Sequence, residues 1–344
     1  MTMNKTLKQI LDGIQNSQED PLHLNSRILL VDSMNTFLRS FAMINHMNPG
    51  GAHIGGLTGF LKSIGFAIRH IKPTRVILVF DGTGSTTNKK NLFSDYKAHR
   101  KIQRITNWDG FESKDDEAES IENQLVRLVQ YLRCLPVGML SIDKVEADDV
   151  IGYITNKAED EVYIMSADQD FLQLVTPKIT VYSPIKKKFY TPKLVKEEYG
   201  LYPQNFLSKK ILMGDASDNV PGVKGLGPKK LFKLFPELEG TDKVTLENIL
   251  EKSKNSLDEH GLYGDICNFK QQLLVNEQLM DLSNPDMPEN SITEIDEVLN
   301  NEPEKLDKLY FLKLYNEDKL GNSIPNVEFW LTEIFSYLQA YKIK

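Results

Sequence analysis

Arg27-Ile-Leu-Leu-Val-Asp32 (RILLVD) holds four consecutive aliphatic residues and closes on an aspartate. A run without polar alternation is the mark of a strand buried on both faces of a mostly parallel sheet. The pattern returns in Arg75–Asp81 (RVILVFD) and in residues 162–168 (VYIMSAD), with a shorter run at 179–182. The intervals carry helical spacing, as in residues 57–70 and 121–133. This alternation predicts a doubly wound α/β core, a mostly parallel central sheet with helices on both faces. Asp32, Asp81 and Asp168 each end one of the first three runs. Ligands of open α/β sheets bind outside the carboxyl ends of the strands. One aspartate there is ordinary helix N-cap chemistry, but three at the same edge point to a site.

The chain has 344 residues, 40% hydrophobic and 26% charged, enough for one large domain with a smaller attached one. Its net charge of −7 taken alone argues against a nucleic-acid partner, since phosphate binding leaves a basic footprint. The average misleads. Residues 236–308 hold 18 acidic and 6 basic side chains, so the remainder of the chain is net positive. Two cysteines exclude a disulfide scaffold, and six histidines without a His-x-x-x-His pair weaken a zinc reading. No window approaches 18 apolar residues, so no transmembrane helix is expected. The start, MTMNKTLKQILDGI, lacks the features of a signal peptide. A soluble protein of a reducing cytoplasm is the expectation.

Residues 1–25 read as a separate extension, with Leu7, Ile10, Leu11 and Ile14 on one helical face. It is either a docked terminal helix or a tethering peptide for a partner's groove. Residues 26–202 read as the α/β core, interrupted at about 84–135 by a helical insertion. That insertion is expected to carry a basic helix and a mobile acidic loop (residues 112–122) before a return helix. Residues 203–344 read as a helical C-terminal region, and 203–235 within it form a helix, a Gly-rich turn and a second helix. The terminal stretch 326–341 has helical apolar spacing and is expected to dock on the body.

Glu146-Ala-Asp148-Asp149 precedes an apolar helix, and the i, i+3 pair Glu146 and Asp149 with Asp148 beside them can share one mouth. Acids at a helix start gain from its dipole, which accounts for one or two of them. Asp168-Gln-Asp170 and Asp215-Ala-Ser-Asp218 add two more close pairs. With Asp32 and Asp81 this makes nine carboxylates, whose mutual repulsion requires neutralising cations. Hard oxygen donors without Cys or His select Mg²⁺ or Mn²⁺. Two such ions about 3.5–4 Å apart suit phosphodiester hydrolysis.

Gly222-Val-Lys224-Gly225-Leu-Gly227-Pro228-Lys229-Lys230 opens an apolar helix, with Pro228 at its first position. Its glycines, exposed amides and lysines form a cradle for backbone phosphate without base preference. A second basic element comprises Lys89, Lys90, Tyr96, Lys97, Arg100, Lys101 and Arg104. On a helix Lys97, Arg100 and Lys101 would share one face, and Tyr96 would stack on an unpaired base.

In VDSMNTFLRSF, VFDG, YKAHR, EADDVIG, SADQDFLQL and GDASDNVPGVKGLGPKKL, taken in order over about residues 27–235, the chain resembles the 5′ nuclease family. That family comprises flap endonucleases and 5′→3′ exonucleases, and the likeness is nearest to the phage ribonuclease H type. The resemblance implies an arch-like insertion, a helix–hairpin–helix-like DNA-binding module and two Mg²⁺ sites. The tighter site centres on Asp148 with Asp32, Asp81, Glu146 and Asp168; the second draws on Asp149, Asp170, Asp215 and Asp218. It places Lys97 and Arg100 on the scissile phosphate and Tyr96 on a nucleobase, and implies a K⁺ on hairpin carbonyls. Lys89 and Lys90 stand where relatives can carry arginine, which removes bidentate phosphate gripping there. The resemblance also implies a monomer that contacts a sliding clamp through the N-terminal segment and a single-strand-binding protein.

The function expected is therefore metal-dependent phosphodiester hydrolysis near 5′ ends of RNA–DNA hybrids, duplex DNA and flaps, as in primer removal. A haloacid-dehalogenase-type phosphatase is disfavoured because Val31-Asp32-Ser33-Met34 lacks a second aspartate two residues on. A non-catalytic structure-specific DNA-binding protein that recruits replication factors is the rival from another class. Nine retained acids argue against it.

Overall fold

The computed structural model describes residues 22–101 and 110–343, with side chains omitted at 100 and 101. The expectations for residues 1–21, for Arg104, and for the side chains of Arg100 and Lys101 lie outside the described residues.

In chain order the core contains β1 (Arg27–Asp32), α1 (Ser33–Met43), α2 (Gly55–Ile71), β2 (Arg75–Asp81), α3 (Thr87–Leu92) and α4 (Lys114–Leu132). It continues with β3 (Gly138–Ile142), α5 (Ala147–Lys157), β4 (Glu161–Met165), β5 (Ile179–Ser183), β6 (Lys188–Tyr190) and α6 (Pro192–Tyr199). The six strands are ordered β3-β2-β1-β4-β5-β6, all parallel except β6 against β5. The chain builds outward from β1 through β2 to β3, then returns to the other side of β1 with β4. The order reverses between β1 and β4, where Val31 pairs with Met165, and that is where α/β sheets open a crevice.

The two-sided burial read from β1 holds. Leu29 and Val31 enter the core with Phe37, Phe60 and Ile64, while Ile28 and Leu30 enter the opposite core with Val150, Ile151 and Ile154. Successive side chains on a strand face opposite ways, so six residues seed two hydrophobic layers. The short strands β3 and β6 were not expected. GMLSI mixes glycine and serine into its run, and three residues of β6 are too few to carry a period.

Beyond the core follow α7 (Phe206–Met213), the two-residue strands β7 (Gly214–Asp215) and β8 (Val220–Pro221), and α8 (Pro228–Leu234). Then come α9 (Leu246–Asn255), α10 (Gly261–Asn268), α11 (Lys270–Met280), α12 (Glu289–Asn300), α13 (Lys308–Glu317) and α14 (Val327–Phe335). The unit expected at 203–344 divides in its packing. Helices α7 to α11 enclose a hydrophobic cluster of their own around Leu231, Phe235, Ile249 and Ile266. Residues after 280 return to the α/β core, with Leu282 and Ile295 under one face and Phe311, Trp330 and Leu331 under the other. Arg75, buried beneath α12, donates to the Val298 and Asn301 carbonyls and so satisfies that helix's C-terminal end.

Helix α14 docks on the body as its spacing predicts, and it does so against α2, where Gly65 leaves room for an indole. A Cβ on Gly65 would stand 2.8 Å from the Trp330 ring. Gly65→Val is expected to lower stability by about 1–3 kcal/mol through overpacking. Urea unfolding tests this, and an unchanged midpoint would mean that α14 does not seat there. Among the described residues no helix is long and apolar enough to cross a membrane.

Two expectations for the insertion are corrected. The acidic stretch 112–122 is not a mobile loop, because from Lys114 it forms the first half of α4. Ser113 caps that helix by accepting from the Asp116 amide at 3.1 Å, and Asp115, Asp116 and Glu117 sit at the positive end of its dipole. Nor is there one basic helix at 97–101. Lys97 has φ 54°, a left-handed conformation that interrupts any α-helix, and Ala98–Lys101 is a single 3₁₀ turn.

Candidate active site

At the end of β1, Asp32 begins α1, its carboxylate accepting from the Asn35 amide at 3.2 Å. The same group accepts from Ser166 Oγ at 2.7 Å, across the crevice just after β4. Asp81 at the end of β2 accepts from the Ala147 amide at 3.0 Å, capping the start of α5 from another element. Asp168 accepts from the Asp170 amide at 2.9 Å. Capping therefore fixes these carboxylates at the sheet edge while leaving other lone pairs available. Local structure and site use the same side chains.

Burial and mutual repulsion dominate the centre. Burial pushes Asp32 up to about 7, with Asp168 and Asp81 adding to it against the bonds from Ser166 and Asn35. Asp148, in the first turn of α5, is raised well above the carboxylate range by burial, then by Asp32 and Asp168. Asp170 is likewise pushed up to about 7, by burial and by Asp168 and Asp215, although Lys210 opposes this. Repulsion thus acts among Asp32, Asp148, Asp168 and Asp170, of which Asp32 and Asp168 are two of the three aspartates read at strand ends.

Three lysines enter the cluster from its sides. Lys89 Nζ lies 2.8 Å from Glu146 and 3.0 Å from Asp149. Lys97 Nζ lies 2.5 Å from Glu146 and 3.9 Å from Asp218. Lys210, on α7, bridges Asp170 and Asp215, 2.8 Å from the latter. Burial would raise Glu146, but Lys89 and Lys97 override it and hold the group at about 2. Asp215 is also held at about 2 against its burial, by Lys210 and the Ser217 donors. Asp149 stays above its usual range because burial outweighs Lys89.

Tyr96 corrects an expectation. Its ring is 3% exposed, packed with Val220, Leu279 and Met280, so it offers no face to a nucleobase in this arrangement. Instead its hydroxyl donates to Glu146 at 2.9 Å and to Asp218 at 3.3 Å, and Lys97 lies 4.9 Å over its ring. The Lys97 amide also donates to the Asp218 carbonyl at 2.8 Å, tying the insertion to the turn after α7. Lys90 is exposed and outside the cluster.

In the hairpin the glycines divide by task. A Cβ on Gly222 would stand 2.1 Å from the Met213 backbone, so this glycine permits two chain segments to touch. Gly225, with φ 80°, and Gly227 face open space, while Lys224, Lys229 and Lys230 are exposed around the start of α8. Buried Val223 and Leu226 anchor the turn. Lys230 donates to the Gly225 carbonyl at 3.0 Å. The residues read as a phosphate cradle thus stand together around one turn.

Sequence reasoning missed Lys210, Ser166 and the inward turn of Lys89 and Lys97. Lys210 had one visible signal, a lysine five residues ahead of Asp215 on a helix that points into the turn. Among the described residues no three acidic, His or Cys side chains form a ready cage for an ion, since Glu146, Asp149, Asp170 and Asp215 are turned to ammonium groups. The donor set still fits hard dications: it is all carboxylate oxygen, mostly buried or half-buried with Asp81 exposed at its rim, and self-repelling at Asp32, Asp148 and Asp168.

The parallel sheet thus carries the carboxylate cluster at one edge, with the lysines of the insertion and a Gly-Lys hairpin beside it. A family model for the 5′-3′ exonuclease N-terminal resolvase-like domain matches residues 27–200. The chain is 34% identical over 252 residues to a 5′-3′ exonuclease of Bacillus subtilis, covering 69% of this chain and 79% of that one. It is 32% identical over 261 residues to DNA polymerase I of the same organism, covering 74% of this chain but 27% of the polymerase. It therefore spans about a quarter of that relative. The T5 D15 protein co-crystallized with metal ions shares the fold, with a TM-score of 0.61, 20% identity, and 85% of this chain and 98% of that one covered. Human GEN1 in complex with Holliday junction DNA shares it with a TM-score of 0.54, 14% identity, and 94% and 75% covered. The chain belongs to the 5′-3′ exonuclease family.

Proposed function

We propose that this chain is a divalent-metal-dependent 5′ nuclease, hydrolysing phosphodiesters near 5′ ends of RNA–DNA hybrids, duplex DNA and 5′ flaps. Removal of RNA primers during phage DNA replication is the proposed setting. One observation carries the reading: Asp32, Asp148, Asp168 and Asp170 gather and repel one another at the β1–β4 crevice, with Lys89, Lys97 and Lys210 around them. Support comes from a fold neighbour, a T5 D15 flap endonuclease crystallised with DNA and metal ions, at a TM-score of 0.60.

Asp148, Asp32, Asp168, Asp81 and Glu146 are the proposed holders of one Mg²⁺, and Asp149, Asp170, Asp215 and Asp218 of a second, with Mn²⁺ as a substitute. When bound, these ions supply charge stabilisation at the phosphate and a more acidic water. Lys97 exchanges its contact with Glu146 for the scissile phosphate, and Arg100 is assigned the same task. Their positive charge offsets the negative charge that develops there. Lys224, Lys229 and Lys230, with the amides of Gly225 and Gly227, hold duplex backbone, and K⁺ is proposed at the hairpin carbonyls. Residues 1–25 are proposed to meet a sliding clamp, with a single-strand-binding protein as a second partner of a cytoplasmic monomer.

A 5′-labelled flap and a 5′-labelled RNA–DNA duplex test the reading. Short 5′ products are expected in Mg²⁺ and none in EDTA. Retained binding without cleavage in either Mg²⁺ or Mn²⁺ would favour the non-catalytic DNA-binding protein.

A further inference from the structure

Asn276 lies within α11 and is fully buried. Its side-chain nitrogen donates to carbonyls on two other elements, Ile211 of α7 at 3.0 Å and Pro221 of β8 at 2.8 Å. Only the NH₂ end of an asparagine can face two carbonyls, and its oxygen accepts from Gln272 at 3.0 Å, so the orientation is determined. Ile211 directly follows Lys210 on the helix that leads into Asp215, and its carbonyl is one of the last four, which lack a partner within the helix. Pro221 leads into the hairpin at Gly222, and the Val223 amide closes the joint by donating to the Leu212 carbonyl at 2.8 Å. One buried side chain therefore ties the last turn of α7 to the start of the Gly-Lys turn.

The C-terminal end of α11 is fixed as well. Gln173, three residues beyond Asp170, donates to the Met280 carbonyl at 3.0 Å and accepts from the Leu282 amide at 3.1 Å. Leu279 and Met280 pack with Tyr96, whose hydroxyl meets Glu146. Helix α11 is thus a strut, held at one end beside the carboxylate cluster and at Asn276 by the hairpin. We infer that Asn276 is a positioning residue: through its two bonds it sets the distance between the hairpin and the cluster, and so which phosphodiester is cut. The inference rests on the proposed nuclease reading for the duplex grip and for the cut. Without the amide two buried carbonyls lose their donor, and the joint opens to admit water. The hairpin lysines and the acids all remain; only their spacing changes. That spacing matters, because misplacing a reacting group by about 1 Å costs on the order of 10²-fold in rate.

Asn276→Ala removes both donors, and Asn276→Ser keeps a hydroxyl that can serve one carbonyl. Each full-length chain is given a 5′-labelled flap duplex in Mg²⁺ under single-turnover conditions, and the cut bonds are mapped. Product position does not depend on how much of the chain is folded, since unfolded molecules do not cut. The unaltered chain is expected to cut mainly at one bond. Asn276→Ala should spread its cuts to adjacent bonds and lose about 10- to 100-fold in rate at the principal one. Its dissociation constant for the duplex in EDTA should stay within about twofold of the unaltered chain's, because the hairpin lysines are untouched. Asn276→Ser should fall between the two. A single unmoved bond in both variants overturns the proposal, and so does a loss of binding that matches the loss of rate. Hydrogen exchange decides the matter if no chain cleaves. The Val223 amide should exchange faster in Asn276→Ala, while the Leu231 amide of α8 keeps its rate. Faster exchange without cleavage by the unaltered chain sinks the nuclease reading and leaves the tie between α7 and the hairpin standing. Unchanged exchange at Val223 sinks the tie whether or not the chain cleaves.

Discussion

Asp148→Asn is expected to reduce Mg²⁺-dependent cleavage by about 10³-fold, and yet to melt at a higher temperature than the unaltered chain in EDTA. Both effects have one origin. Asp148 is half-buried and is driven well above the carboxylate range by desolvation, then by Asp32 and Asp168. Asparagine keeps the shape and removes a charge that its neighbours repel. In EDTA that relief is worth about 1–2 kcal/mol, or a few degrees of melting temperature. With Mg²⁺ the same charge is what the site needs, so its loss falls on catalysis. Affinity for a flap duplex in EDTA should not weaken, because Lys224, Lys229 and Lys230 are untouched. Near-normal turnover, or a lower melting temperature in EDTA, would remove Asp148 from the centre of the cluster.

Lys210→Met is expected to destabilise the chain in EDTA by about 3 kcal/mol, because it leaves Asp170 and Asp215 facing each other without the cation between them. Magnesium should then stabilise the variant more than the unaltered chain. In the latter an entering ion must displace an ammonium from both carboxylates; in the variant it meets them unpaired. The gain follows mass action, growing with the ratio of Mg²⁺ to its dissociation constant. Urea unfolding with and without Mg²⁺ measures both quantities. Equal Mg²⁺ increments in the two chains would show that Asp170 and Asp215 do not hold the ion.

Much of the catalytic half was legible because its signals are local. The aliphatic runs of β1 and β2 and their terminal aspartates follow from strand burial and helix capping within a few residues. The start of α5 at Ala147 and of α8 at Pro228 follows equally from Glu146-Ala-Asp-Asp149 and Gly227-Pro228. What failed involved conformation at single residues. The left-handed backbone of Lys97 breaks a helix that charge spacing alone predicts, and Ser113 converts an acidic stretch into a capped helix start. Tyr96 reads as a stacking residue in isolation, but Val220, Leu279 and Met280, far along the chain, bury it.

The sequence by itself determined the parallel α/β core, the edge at which the aspartates gather and the glycine-lysine turn, since each depends on short-range periodicity or on residue type. Tertiary structure alone decided which charge meets which. Lys89 reaches Asp149 across 60 positions, Lys210 reaches Asp170 across 40, and Lys97 reaches Glu146 across 49. Coulomb energy depends on distance and burial rather than on sequence separation. The net charge therefore held no trace of an acidic centre neutralised from within by three lysines.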